Sequence, residues 1–206
     1  MRSAALIVWL LVGCTGGPDG PRADGKHQSA LGFAASIPES WLILDGVQIR
    51  ENPELFAGVF ESPGFEGADP QLLEQMRANI EAGSVEFYYP DRANVSDFSE
   101  NVNVQKGVGR LPGDDSELQE VCPVVETELS RGFGRPIVLE ACELRPVGSG
   151  SAFFIQAEGA VPGTMMMQYQ LQKSTAVTLV VTATVLLDSS SALDVQLDEL
   201  VQSIEF

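Results

Sequence analysis

The chain has 206 residues, of which 44% are hydrophobic and 20% charged. That composition supports one folded domain and argues against disorder throughout. Twelve Lys and Arg against 29 Asp and Glu leave a formal charge of −17, which repels phosphate backbones, excludes nucleic acid as the expected partner, and rules out a basic patch as the means of attachment to an anionic bilayer.

Residues 1–13, MRSAALIVWLLVG, read as a signal peptide. Arg2 gives a positive start and Ala4 to Val12 an unbroken apolar run, too short for a spanning helix of about 20 residues. The run ends Leu11-Val12-Gly13-Cys14, which resembles the bacterial lipobox. The resemblance implies a diacylglyceryl thioether on Cys14, cleavage before it, and acylation of the new N-terminus. A cleaved signal cannot anchor a protein, whereas several acyl chains on one residue can. Thr15 stands where aspartate would signal inner-membrane retention, so the expected site is the outer membrane, facing the periplasm or the cell surface. Residues 14–30 then form the lipidated cysteine and a flexible linker. TGGPDGPRADGKHQS (15–29) has no apolar period and contains the sole histidine, His27, so it is expected to act as a tether.

Residues 31–206 are expected to fold as one α+β domain. LGFAASIPESW (31–41) reads as a strand, a turn and an aromatic anchor, and LFAGVFES (55–62) as a second strand. Asp69-Pro70 starts a helix with apolar positions Leu72, Leu73, Met76 and Ile80, ended by Gly83. VEFYYPD (85–91) is a short strand or an ordered loop, and ENVNVQKGV (100–108) alternates as a strand. Leu118, Val121, Val125 and Leu129 recur at helical spacing. Pro123 falls among them, which predicts a broken or two-part helix.

From residue 137 the period becomes two. IVLEACELRPV, AFFIQAEGAV, TMMMQYQLQK and AVTLVVTATVLL are consecutive strands separated by Gly148-Ser149-Gly150, Pro162-Gly163 and Ser174-Thr175. Connections this short require antiparallel neighbours. Alternation turns Met166 away from Met165 and Met167, so the triple methionine reads as strand packing and not as a copper site. A last helix carries Leu193, Leu197, Leu200, Val201 and Ile204 in one stripe that covers the sheet.

With Cys14 assigned to lipid, Cys122 and Cys142 are a disulfide candidate in an exported chain, with free thiols as the alternative. Little else carries chemistry. The usual histidine base is missing from the domain, phosphate-binding loops and zinc spacing are absent, and no two carboxylates stand out. The expectation is a non-enzyme without cofactor or metal. Phe87, Tyr88 and Tyr89 form either a partner surface or a lid on the core.

SIPESW (36–41), NVNV (101–104), TLVVTATV (178–185) and LVQSIEF (200–206), in this order of elements, resemble the fold shared by the nuclear transport factor Mog1 and the photosystem II extrinsic protein PsbP. Bacterial lipoproteins of the DcrB and LpqN types are similar. The resemblance implies an antiparallel sheet of about six strands with helices on its faces, and binding or assembly roles without a shared enzyme activity. The expected function is therefore a membrane-anchored binding or assembly factor of the cell envelope, attached to the bilayer through acylated Cys14 and acting on an envelope protein. The alternatives are a carrier of a small apolar ligand held between sheet and helices, and a hydrolase that uses carboxylates alone.

Overall fold

Alternation and turn chemistry gather seven strands into one antiparallel sheet. The computed structural model describes residues 25–51, 53–54, 70–90, 100–148, 150–187 and 192–206. The elements are β1 (His27–Gln28), β2 (Ala34–Ala35), β3 (Leu42–Leu44), α1 (Gly46–Glu51), α2 (Pro70–Glu81), β4 (Val85–Tyr89), β5 (Asn101–Val108), α3 (Asp115–Phe133), β6 (Leu139–Val147), β7 (Gly150–Glu158), β8 (Thr164–Gln172), β9 (Val177–Leu186) and α4 (Ala192–Gln202). Seven strands form the main sheet in the order β3-β4-β5-β9-β8-β7-β6, and every neighbouring pair is antiparallel. The fold is α+β, as expected, with one strand more than the sequence suggested. The four-strand meander β6 to β9 follows the predicted turns. The strand read at 55–62 lies outside the described residues.

The sheet buries both faces. On one, Val102, Val104, Val181, Ala183, Tyr169 and Phe154 meet the apolar stripe of α4, where Leu193, Leu197, Leu200 and Val201 are all buried. On the other, Phe153, Ile155, Ala157 and Met166 pack under Leu118, Val121, Val125 and Leu129 of α3. At the far end of that second face, Ile49 of α1 and Ile80 of α2 cover Val85 and Phe87. Four fully buried aliphatic side chains on α4 contribute roughly 2 kcal/mol each relative to exposure. That outweighs the modest propensity of an 11-residue helix in isolation.

Helix α3 runs unbroken through Pro123, contrary to the expected two-part helix. Its start is well determined: Asp114 accepts from the Glu117 amide at 2.9 Å, and the Glu117 carboxylate accepts from the Gly113 amide at 2.7 Å. Gly134, at φ +67, ends it by donating to the Ser130 carbonyl. Pro123 leaves the Gln119 carbonyl without its helical donor, but both residues lie on the exposed face, where water can replace the bond. The neighbouring Cys122 is bonded to Cys142 of β6 with Cα atoms 6.0 Å apart. That link holds the helix to the sheet at the position where proline would otherwise loosen it.

Candidate functional site

Strand β4 lies between β3 and β5, so alternation directs Glu86 and Tyr88 to the face occupied by Val102 and Val104. Glu86 is thereby carried into the core, with no exposed surface. Among the described residues it is the one fully buried carboxylate. A buried charge needs partners, and these come from the first described residues. β1 and β2 pair through His27↔Ala35 and Gln28↔Ala34, joined by a turn in which Gly32 adopts φ +80. The turn places Ser29 and Ala30 directly over β4.

The carboxylate is fully occupied. Oε1 accepts from Ser29 Oγ at 2.7 Å and from the Ala30 amide at 3.0 Å. Oε2 accepts from the Tyr88 hydroxyl at 2.6 Å and faces His27 Nε2 at 3.3 Å. Ser29 Oγ also accepts from the Leu31 amide at 2.9 Å, and the His27 ring stands edge-on to Tyr88 at 5.9 Å. Burial pushes the Glu86 carboxyl up. Hydrogen bonds from His27, Tyr88 and Ser29, together with the His27 charge, outweigh burial and hold the group below the usual carboxylate range. Tyr88 moves the other way: burial and then the adjacent Glu86 charge keep its hydroxyl protonated far above the ordinary phenol value.

This arrangement has no free lone pair and no access from solvent, so Glu86 can neither abstract a proton nor receive a substrate. It does clamp the entry segment of the domain to the core. Residues 25–30, read as tether, are thus partly structural, and the ordered fold begins at least four residues before the sequence boundary at 31. His27 looked like linker because its neighbours are Gly, Lys, Gln and Ser. The available signal was Glu86, which shares an inward face with Tyr88 and so demanded donors from elsewhere in the chain.

Phe87, Tyr88 and Tyr89 do not form an exposed surface. Tyr88 is completely buried and Tyr89 is 9% exposed. Phe87 is half-buried against Ile49, Ile80 and Val85, with its ring stacked on Tyr89 at 6.4 Å. An interior strand covered on both faces leaves these rings as core lid. Cys14 lies outside the described residues. Cys122 and Cys142 form the disulfide. It floors an open groove of about 490 Å³ between α3 and β6, lined also by Leu118, Pro123, Glu126 and Leu139. Among the described residues no His, Cys, Asp and Glu side chains converge in a group able to hold a metal ion. Among the same residues no helix is long and apolar enough to cross a membrane.

No family model matches the chain, and no curated protein matches it in sequence. Solved structures share its outline at low identity. A Bacteroides thetaiotaomicron protein is 11% identical over 87% of this chain with a TM-score of 0.42, and the chain spans about half of that protein, 47% of its length. LpqN of Mycobacterium tuberculosis, described as involved in cell envelope biogenesis, is 12% identical over 84% of this chain and 82% of its own, with a TM-score of 0.45. The Saccharomyces cerevisiae Ran-binding protein Mog1p is 14% identical over 84% of this chain and 89% of its own, with a TM-score of 0.47.

Proposed function

We propose that the protein is a lipid-anchored component of the bacterial cell envelope, acylated on Cys14, whose domain works by binding an envelope protein and not by catalysis. The observation that carries this reading is the use made of Glu86. The fully buried carboxylate is spent on fastening the entry segment, through His27, Ser29 and Ala30, to β4, the second strand of the sheet. A domain held at the membrane by its N-terminal residues needs such an attachment, because any pull along the tether is delivered first to β1. An outer-membrane position follows from Thr15 after the cysteine.

Two measurements test the proposal. The mature chain isolated from membranes should carry acyl mass on its first residue, and a Cys14→Ala variant should lose both a palmitate-analogue label and membrane fractionation. Crosslinking in intact envelopes should join the wild-type chain to a discrete protein partner, and Cys14→Ala should weaken that capture. A soluble, unacylated mature form would remove the anchor. Turnover of a substrate by the purified chain would remove the binding role.

A further inference from the structure

The sequence holds only three lysines, Lys26, Lys106 and Lys173, and the fold gathers them toward one end. Lys106 is opposite Leu179 on β9, which is opposite Leu171 on β8, two residues before Lys173. The two Cα positions are therefore two strand spacings and two residues apart, roughly 12 Å, and Lys106 helps burial lower the Lys173 ammonium. Lys173 donates to the Leu31 carbonyl at 3.2 Å and lies 5.7 Å over the Phe206 ring. Beside Phe206, Lys26 is paired with Glu205 at 2.6 Å. Arg110, next along from β5, is paired with Glu117. Among the described residues Lys106 and Lys173 have no ion-pair partner. Two large apolar side chains are exposed in the same region, Val108 at 58% and Phe206 at 56%. The acids Asp114 and Asp115 open α3 nearby, so this end is close to neutral and not strongly basic. Against a total of −17, it is still distinctive.

We infer that this end of the sheet, bearing Lys106, Lys173, Val108 and Phe206, faces the anionic headgroups of the bilayer to which the chain is tethered. The inference rests on the anchor at Cys14. Residues 15–24 span at most roughly 35 Å when extended, and about 17 Å as a flexible coil. The domain therefore stays within about one diameter of the surface. A strongly acidic globule held there is repelled by anionic lipid, and turning this nearly neutral end inward lowers that repulsion. Val108 pairs with Val177 at the start of β9, whereas the turn holding Val161 meets the end of β9 through Thr164↔Leu186. The ten residues of β9 separate the two ends by roughly 30 Å, enough to distinguish which one approaches the lipid.

The test uses the acylated chain purified from membranes and reconstituted in phosphatidylglycerol–phosphatidylcholine vesicles with a dansyl-labelled headgroup. Energy transfer from tryptophan should be at least twofold greater in Val108→Trp than in Val161→Trp. The difference should shrink in high salt and in Lys106→Gln/Lys173→Gln. Both substituted sites are exposed, and Trp41 is common to both variants. The unsubstituted chain gives an independent reading: vesicle attachment should at least halve amine acetylation of Lys106, followed by mass. Equal or reversed transfer, or unchanged Lys106 labelling, on a chain shown by mass to be acylated overturns the orientation and leaves the anchor intact. A chain without acyl mass overturns both.

Discussion

Tyr88 donates its hydroxyl to Glu86 at 2.6 Å, and neither side chain has any exposed surface. The two residues are on one strand and one face, two positions apart, so the backbone sets their geometry. What completes the site comes from nearly 60 residues earlier in the chain, where His27, Ser29 and Ala30 close over the same carboxylate. A charge buried this deeply is stable only while all its donors are present.

Glu86→Gln keeps the shape but places an amide N–H₂ against a set of donors. At least one of Ser29 Oγ, the Ala30 amide and the Tyr88 hydroxyl then loses its acceptor. The expected loss is about 3 kcal/mol of unfolding free energy, the usual size for breaking a buried hydrogen-bonded charge. The denaturant midpoint should fall without a change in slope. A loss below about 1 kcal/mol would mean that the cage contributes little.

The same group sets an acid limb. The folded carboxyl of Glu86 titrates below its unfolded value, because its hydrogen bonds and the His27 charge outweigh burial. Its contribution is therefore present above the unfolded value, near pH 4, and disappears as pH falls through the folded one. Unfolding free energy measured from about pH 5 downward should decline more steeply in the wild type than in Glu86→Gln. Parallel curves would contradict the linkage.

All three tyrosines are held protonated. Burial pushes Tyr89 up to about 12. Burial and the Asp198 acceptor bring Tyr169 to about 12 against the opposing Arg145. Tyr88 is also held well above the ordinary phenol value, through burial and the Glu86 charge. Because these folded values lie above the unfolded phenol value, the associated stability is present below about pH 10 and is lost as pH rises through the folded values. Absorbance of the folded protein at the phenolate band should show no step near pH 10. A step of even one tyrosine there would show that a ring is open to solvent.

The sequence made β6 to β9 and α4 legible because each carries its own period in its own residues. Thr178, Thr182 and Thr184 alternate with Leu179, Val181 and Ala183 along β9, and Leu193, Leu197 and Leu200 recur along α4. The buried cage was not legible, since the composition of 25–30 says linker while its structure depends on a carboxylate on β4. Helix α1, six residues long, is too short to show a period. At Pro123 a sound local rule met a stronger constraint, because Cys122 is bonded to β6 and the freed carbonyl faces water. Phe87, Tyr88 and Tyr89 announced an aromatic cluster, but only the sheet order showed that β4 is interior.

Removing the disulfide should expose the weakness that it covers. Cys122 and Cys142 are 20 residues apart, a loop whose closure contributes about 3 kcal/mol. Cys122→Ser/Cys142→Ser should lose about that much stability. It should also raise amide exchange over residues 115–122 relative to 124–133, as the helix separates at Pro123. Uniform protection along α3 in the double variant would show that packing under Leu118 and Val125 suffices without the link.

Arg145 couples the outer strand β6 to α4. Its guanidinium lies 3.4 Å from the Phe154 centroid, donates to the Tyr169 hydroxyl at 2.8 Å and to Glu143 at 2.7 Å. Tyr169 in turn donates to Asp198 of α4. A planar, forked cation can stack on one ring while hydrogen-bonding past it, and an ammonium cannot do both. Arg145→Lys should therefore cost about 1 kcal/mol although charge is retained. Tyr169→Phe removes the same bond from the other side, so the two changes made together should cost less than their sum by at least about 0.5 kcal/mol. Additive costs would show that Arg145 acts through the Phe154 ring alone and that β6 and α4 are held independently.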